Sequence, residues 1–433
     1  VSVASIFALS LLGAAYTIID RDFVAAGHQG VTHVFRSPER KGLAGLPYIV
    51  MDETWSPKFP CDVSPAIRQP GFADPSARCW VLGSSGTTGR VKYVTVDQKT
   101  VWNRVAVVQS DYTAGETRLF VLFGCNSRPF GIRAAAALLS GNTIIDSHTP
   151  AFLAAHGVNF VCGSPKQLQT WLADHTLLPR IPRVQLSGAR VDAAMILRLL
   201  DSFDLVEDVY GSSETIAAHI NATRRVQGRI ETSGRAVASE IEIVDTQGMP
   251  VPEGLAGEVR IRNGHMVTGY DGLSDETARR FRDGWFYPGD IARWEPDGVL
   301  RLLGRADDVV NLGGFKLNLG DLDAAMVASP LVAAACCFVD PVAPTRLAVC
   351  LQPASGAQAS QAVRAAWLNC ARAVEAQHAP ASFLVVPQIA LTQDGVPRRK
   401  LAQALFAETL GSASAATLNE TLFKFEAASD APA

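Results

Sequence analysis

An apolar run, Trp80-Val81-Leu82, passes directly into Gly83-Ser84-Ser85-Gly86-Thr87-Thr88-Gly89-Arg90-Val91-Lys92. The glycines allow the backbone to approach a ligand closely and to turn its N–H groups inward. Ser84, Ser85, Thr87 and Thr88 add hydroxyl donors, and Lys92 adds a point charge. A loop of this kind can wrap polyphosphate oxygens. It is not a Walker loop, because no Gly-Lys-Ser/Thr occurs at the required spacing. The plainer alternative is a Ser/Thr/Gly-rich surface turn, and motifs elsewhere in the chain weigh between the two.

The chain has 433 residues, 48% of them hydrophobic, which is too long for one ordinary core, so two or more domains are expected. A formal net charge of −3 argues against a nucleic-acid partner. Eight cysteines occur without CxxC spacing, Cys336-Cys337 being the one close pair, and this predicts a reduced, cytoplasmic setting. The eight histidines show no metal-ligand spacing. Val1 to Ile19 is apolar, but it lacks a basic leader and runs into Asp20-Arg21-Asp22, so it is read as neither signal peptide nor membrane span.

Strand-like and helix-like segments alternate through residue 220, the pattern of α/β layering. Pro57, Pro60, Pro65, Pro70 and Pro75 mark a surface connection. Ala134 to Leu139 predicts a helix leading to Asn142-Thr143-Ile144-Ile145, a short buried strand. Residues 238–262 predict β structure: Glu240-Ile241-Glu242-Ile243-Val244 and Gly257-Glu258-Val259-Arg260-Ile261 alternate on either side of a turn at Asp245 to Gly248. From Ala306 the chain restarts as a small α/β unit, and the tail after about Ala427 is expected to fray.

Three further strings carry chemistry. Asp208-Val209-Tyr210-Gly211-Ser212-Ser213-Glu214-Thr215 ends a strand-like run with a carboxylate suited to a hard cation. Trp285-Phe286-Tyr287-Pro288-Gly289-Asp290 presents one carboxylate able to accept two hydrogen bonds. Gly304-Arg305-Ala306-Asp307-Asp308-Val309-Val310-Asn311-Leu312-Gly313-Gly314-Phe315-Lys316 reads as a charged interdomain passage.

Together with the 80–92 loop, these strings resemble the landmarks of the acyl-adenylate-forming superfamily. That group includes acyl-CoA synthetases, the adenylation domains of nonribosomal peptide synthetases, and luciferase. Gly234-Arg235, Gly257-Glu258-Val259 and Thr268-Gly269-Tyr270 match the family's structural landmarks. Gly13-Ala14-Ala15-Tyr16-Thr17-Ile18-Ile19-Asp20 and Leu319-Gly320-Asp321-Leu322-Asp323 are similar to adenylation domains in particular.

The resemblance implies an α/β fold with a large N-terminal domain, residues 1–304, of layered α/β subdomains plus a β-barrel-like part. A small mobile α+β C-terminal domain, 305–426, and a disordered tail, 427–433, would complete it. The chain is read as beginning inside the fold, with an N-terminal part missing. The implied reaction joins a carboxylic acid and Mg-ATP to give an acyl-adenylate and pyrophosphate. A thiol of CoA or of an acyl carrier protein's phosphopantetheine then takes the acyl group.

By the same resemblance, Ser84, Ser85, Gly86, Thr87, Thr88, Gly89 and Lys92 hold the phosphates. The Tyr210 ring flanks adenine, Gly211 is a nucleotide-binding position, the Ser213 hydroxyl contacts the α-phosphate, and Glu214 holds Mg²⁺. Asp290 accepts the ribose hydroxyls, Arg305 reaches the nucleotide, and Asp307 is the hinge. Leu186-Ser187-Gly188-Ala189 corresponds to a turn beside the acyl and adenine pockets.

Departures from the pattern are specific. Val91, Ala236 and Pro288 replace the usual Pro, Pro and Thr, and Ser213 replaces Thr. In Leu391-Thr392-Gln393-Asp394-Gly395-Val396-Pro397-Arg398-Arg399-Lys400, an ungapped match to the family's Thr-x-x-Gly-Lys-x-x-Arg puts Val396 at the lysine position. A shifted loop would instead present Lys400, Arg399 or Arg398, and Lys400 is the candidate catalytic cation. Phe123-Gly124-Cys125-Asn126-Ser127-Arg128-Pro129-Phe130-Gly131 offers no Asp for an amino-acid substrate, while Asn126, Arg128 and Phe130 are candidate pocket residues. An impaired, adenylate-binding homologue with a regulatory or partner-binding role is the competing expectation.

Overall fold

The structure, a computed structural model, describes residues 74–84, 92–124, 127–145, 149–173, 175–312, 315–374, 378–391, 397–412 and 421–425. It adds the short strands Tyr16–Thr17, Val34–Arg36 and Tyr48–Val50. The loop residues 85–91, Gly313-Gly314, Thr392 to Val396, Asn126 and the tail from residue 426 lie outside the described residues.

A seven-stranded sheet organises the first part of the chain. Its order is Arg229–Ala236, Ile216–Val226, Phe203–Ser212, Ile181–Ser187, Phe160–Gly163, Arg118–Val121 and Thr143–Ile144. The last five run parallel and the first three pair antiparallel. Parallel strands are usually covered on both faces, which explains their apolar runs. Phe120, Val161, Val184 and Val206 lie in one register line and pack against Leu153, Leu168 and Leu199 from helices. On the opposite face the helix Arg128–Leu139 supplies Phe130 and Ala137 to a second core with Leu119, Phe160 and Cys162.

Two local expectations are corrected. The helix expected from Ala134 begins at Arg128: Ser127 Oγ accepts the Phe130 N–H and Pro129 sits in the first turn, so capping outweighs the apolar pattern. Asn142 to Ile145 does not form a buried strand. Only Thr143–Ile144 pairs, at the sheet edge, with Thr143 exposed. Elsewhere the strand end at Gly163 leads through a capping box at Ser164 and Gln167 into the helix Pro165–Leu172.

Arg78–Ser84 and Lys92–Asp97 form an antiparallel hairpin with Ser84 opposite Lys92, so residues 85–91 connect its two strands. Tyr16–Thr17 pairs parallel with Arg78–Ser84. The second half of the large region is a six-stranded antiparallel sheet. Glu240–Val244 and Gly257–Arg262 pair as expected, across a turn in which Asp245 N–H reaches the Met249 carbonyl. Its core, Ile243, Val259, Ile261, Ala292 and Leu300, includes Ala218 of the first sheet.

Beyond Arg305, the hairpin Val309–Leu312/Phe315–Asn318 leads to a four-stranded sheet of Val332–Val339, Leu347–Pro353, Ser382–Val385 and Leu422–Lys424. The helices Leu319–Val327 and Ala359–Ala373 pack on one face, and Arg399–Ser412 on the other. All cysteines among the described residues are free and buried. No helix among the described residues is long and apolar enough to cross a membrane.

Candidate active site

The strand Phe203–Ser212 delivers the first functional string. A register shift falls between Tyr210 and Gly211, where the strand bulges against Ile216–Val226. A Cβ at Gly211 would overlap the Ile216 backbone carbonyl, so only glycine fits this close approach. Gly211→Ala is expected to cost about 2–3 kcal/mol by overpacking. It should weaken nucleotide binding along with it; unchanged urea denaturation would show that the turn is more pliable.

The adjoining turn is held from within and from behind. Ser212 Oγ accepts the Glu214 N–H at 3.2 Å. Behind it lies Arg104, 1% exposed. Its guanidinium donates to the carbonyls of Ser213 at 3.2 Å, Glu214 at 2.9 Å and His265 at 2.9 Å. Burial, with the Arg104 charge as the next cause, holds the His265 imidazole down at about 4, so it is neutral near pH 7. Motif matching does not single out Arg104, although it shares the buried stripe of the helix Gln98–Gln109 with Val105 and Val108. An arginine on such a stripe signals a structural anchor.

Glu214 is itself buried, and the Tyr270 hydroxyl donates to its Oε1 at 2.8 Å. Burial and then the Glu214 charge push the Tyr270 phenol well up, so it stays a proton donor. Tyr270, expected only as a structural landmark, therefore orients the candidate metal ligand. Lys92 Nζ lies 4.9 Å from the Tyr270 ring centroid and pairs with Glu276. Glu276 also binds Arg279. Burial opposes ionisation of Glu276, but hydrogen bonds from Lys92 and Arg279 hold its carboxyl down at about 2. The expected phosphate lysine thus has a carboxylate partner that motif matching did not anticipate.

The residues expected at the ribose also converge. Asp290 Oδ2 accepts the Tyr210 hydroxyl at 2.7 Å, and Oδ1 accepts Arg305 Nη1 at 3.0 Å. Arg305 Nη2 donates to the Pro288 carbonyl at 2.9 Å, so proline in place of threonine still supplies an acceptor. Burial and then the neighbouring Asp290 raise the Tyr210 phenol, keeping it protonated. Tyr210, Asp290 and Arg305 therefore form one unit across a long stretch of chain.

A carboxylate fixed through one oxygen, as Glu214 is, suits a cation that takes most ligands from phosphate and water. No group of three or more His, Cys, Asp or Glu that could hold a metal occurs among the described residues. That chemistry fits Mg²⁺ carried on a polyphosphate better than a protein cage.

Of the remaining expected site residues, Ser84 ends its strand, Ser213 contributes its carbonyl to Arg104, and Ser85 to Gly89 lie outside the described residues. Asp307 lies in the single turn Ala306–Asp308, whose next residue, Asp308, accepts Arg399 Nε at 2.9 Å. Arg399 also binds Asp323 at 2.9 Å and the Cys337 carbonyl, drawing the start of its helix inward. Lys400, the next residue, is exposed.

Residues 2–271 match the family described as AMP-binding enzyme, and the chain belongs to that family. It is 30% identical over 387 residues to surfactin synthase subunit 1 of Bacillus subtilis (strain 168), covering 81% of this chain and 11% of that protein. A salicylyl-CoA synthase / salicylate adenylyltransferase of Streptomyces sp is 29% identical over 276 residues, covering 60% of this chain and 50% of that protein. The chain thus spans half or less of the length of these relatives. Its fold matches that of O-succinylbenzoate coenzyme A synthetase from Bacillus subtilis in complex with AMP. The TM-score is 0.75 at 16% identity, over 92% of this chain and 85% of the other.

Proposed function

We propose that the protein activates a carboxylic acid with ATP. The carboxylate oxygen attacks the α-phosphorus, pyrophosphate leaves, and an acyl-adenylate results. The thiol of CoA or of a carrier-protein phosphopantetheine then attacks the acyl carbon and AMP leaves. The observation that carries this reading is the convergence of Tyr210, Asp290 and Arg305 with the Glu214–Tyr270 pair at one end of the strand Phe203–Ser212.

In this reading Asp290 and Arg305 hold the ribose, and the Tyr210 ring flanks adenine. Ser213 meets the α-phosphate, and the 84–92 hairpin loop with Lys92 holds pyrophosphate. Glu214 holds Mg²⁺, which supplies charge neutralisation on the phosphates. No side chain needs to act as a nucleophile, since both steps are displacements assisted by positioning and charge. The small unit from Arg305 onward turns about Asp307 between the two steps, a role that needs few residues to absorb the backbone change.

The inward anchoring of Arg399 supports the ungapped register, with Val396 at the position of the family's lysine. Val396→Lys is then expected to raise acid-dependent ATP–pyrophosphate exchange by about 10²-fold, the worth of one preorganised donor. Lys400→Ala should leave exchange nearly unchanged. The opposite pattern would assign the catalytic cation to Lys400.

A further inference from the structure

The lysine expected at the phosphates is already engaged by a carboxylate that belongs to none of the strings singled out in the sequence. Lys92 opens its strand opposite Ser84, and its Nζ pairs with Glu276 Oε1. Glu276 lies on the short helix Ser274–Arg280. The two side chains are 12% and 19% exposed, so the pair is largely desolvated yet open to solvent on one side. Lys92 Nζ also lies 4.9 Å from the Tyr270 ring centroid, and the Tyr270 hydroxyl donates to Glu214. One aromatic ring thus links the pair to the candidate metal ligand.

Glu276 does not depend on Lys92 for its charge balance. Arg279 donates to Oε2 from Nε at 2.9 Å and from Nη2 at 2.7 Å, and Nη2 is also 2.9 Å from Oε1. Arg280 Nε lies 3.4 Å from Oε1. Arg280 is itself fixed. It is buried, its Nη1 donates to the Tyr287 carbonyl at 3.3 Å, and its own carbonyl accepts the Tyr287 N–H at 2.8 Å. A Cβ on Gly289, where φ is +80°, would overlap this guanidinium, so glycine is required there. The carboxylate therefore keeps two cations on a built platform whether or not Lys92 stays. Held down at about 2 against its burial, the Glu276 carboxyl is ionised near neutral pH.

Lys92 is placed differently. Among the described residues its ion pair is with Glu276. An ammonium is a point charge on a flexible stem and can pass between two acceptors, whereas a guanidinium fork loses its paired geometry when it moves. A polyphosphate arriving beside Glu214 offers several charged oxygens, which make stronger hydrogen bonds than neutral ones. Transfer of Lys92 to such a ligand leaves Glu276 with Arg279 and Arg280, so no buried charge is stranded by the exchange.

We propose that Glu276 is a positioning residue that competes with the β- and γ-phosphates for Lys92. It holds the ammonium near Glu214 before ATP binds, yields it to the nucleotide, and takes it back as pyrophosphate leaves. The inference rests on the adenylation reading for the placement of the polyphosphate. Its consequence is confined to ligands that reach Lys92. A competing carboxylate lowers the affinity for ATP and pyrophosphate and leaves AMP, which lacks both outer phosphates, unaffected. A purely structural tie between hairpin and helix would act on all three ligands alike.

The test is calorimetric titration of the full chain with Mg-ATP, Mg-pyrophosphate and AMP, using the unaltered protein, Glu276→Gln, Lys92→Gln and the double variant. Glu276→Gln is expected to tighten ATP and pyrophosphate by about 10-fold with AMP unchanged, the worth of one close, partly desolvated charge pair. Lys92→Gln should weaken both polyphosphates by about 10-fold or more, and in that background Glu276→Gln should gain nothing. Glu276→Asp keeps the counter-charge of the arginines but is one methylene shorter, so it should show part of the gain, and it serves if the Gln variant fails to fold. Polyphosphate affinities that stay level or fall in Glu276→Gln, or that move together with AMP, would overturn the proposal, while a weakened Lys92→Gln would still uphold the phosphate placement. No ATP binding, or ATP affinity indifferent to Lys92→Gln, would sink that placement and the proposal with it.

Discussion

Arg104→Met is expected to lower stability by about 3–5 kcal/mol and to abolish measurable nucleotide affinity. The side chain is buried, and it donates to the carbonyls of Ser213, Glu214 and His265. Hydrogen bonds to a charged group contribute roughly 1.5–3 kcal/mol each, and removal takes this donor from the buried His265 carbonyl while the Glu214 carbonyl keeps only the Val267 N–H. Methionine fills much of the volume but satisfies none of them. Because two of the three carbonyls belong to the turn bearing Glu214, the loss reaches the site directly. Urea denaturation and calorimetry with ATP would measure both effects. A variant with ordinary stability and affinity would show that the turn holds itself.

The second large effect is at Asp290. Asp290→Ala should weaken ATP and AMP binding by roughly 10²–10³-fold, equivalent to about 3–4 kcal/mol. Two losses combine. On the proposed placement of the nucleotide the ribose hydroxyls lose an acceptor, and Tyr210 and Arg305 lose the group that holds them together. Asp290→Asn retains an acceptor but offers its amide where the carboxylate had accepted, so it should fall between the two. The core of the adjoining sheet is untouched, and stability should change by less than about 2 kcal/mol. Unaltered affinity in Asp290→Ala would move the nucleotide away from this pair.

Much of this site was legible because its chemistry is written in short local strings. Gly211 at a strand bulge, Glu214 in the turn that follows and Asp290 at the start of a strand each lie in a short string whose sequence shows its demands. The antiparallel strands 240–244 and 257–262 were legible for a similar reason, since alternation and an Asp-Gly turn are local. The helix start at Arg128 was hidden by proline and polar residues that read as loop until Ser127 is seen as a cap. The partners that hold the site were not legible. Arg104 to the 213–214 turn, Tyr270 to Glu214 and Lys92 to Glu276 are joined only by the folded topology. Pairing across such separations leaves no local periodicity.

The most direct measurement is acid-dependent ATP–pyrophosphate exchange by the full chain, across fatty, aryl, amino and dicarboxylic acids, with Glu214→Gln alongside. Exchange with one class of acid, falling by about 10²-fold or more in Glu214→Gln, is the predicted result. ATP binding without exchange for any acid would contradict adenylation, and exchange undiminished in Glu214→Gln would contradict the site.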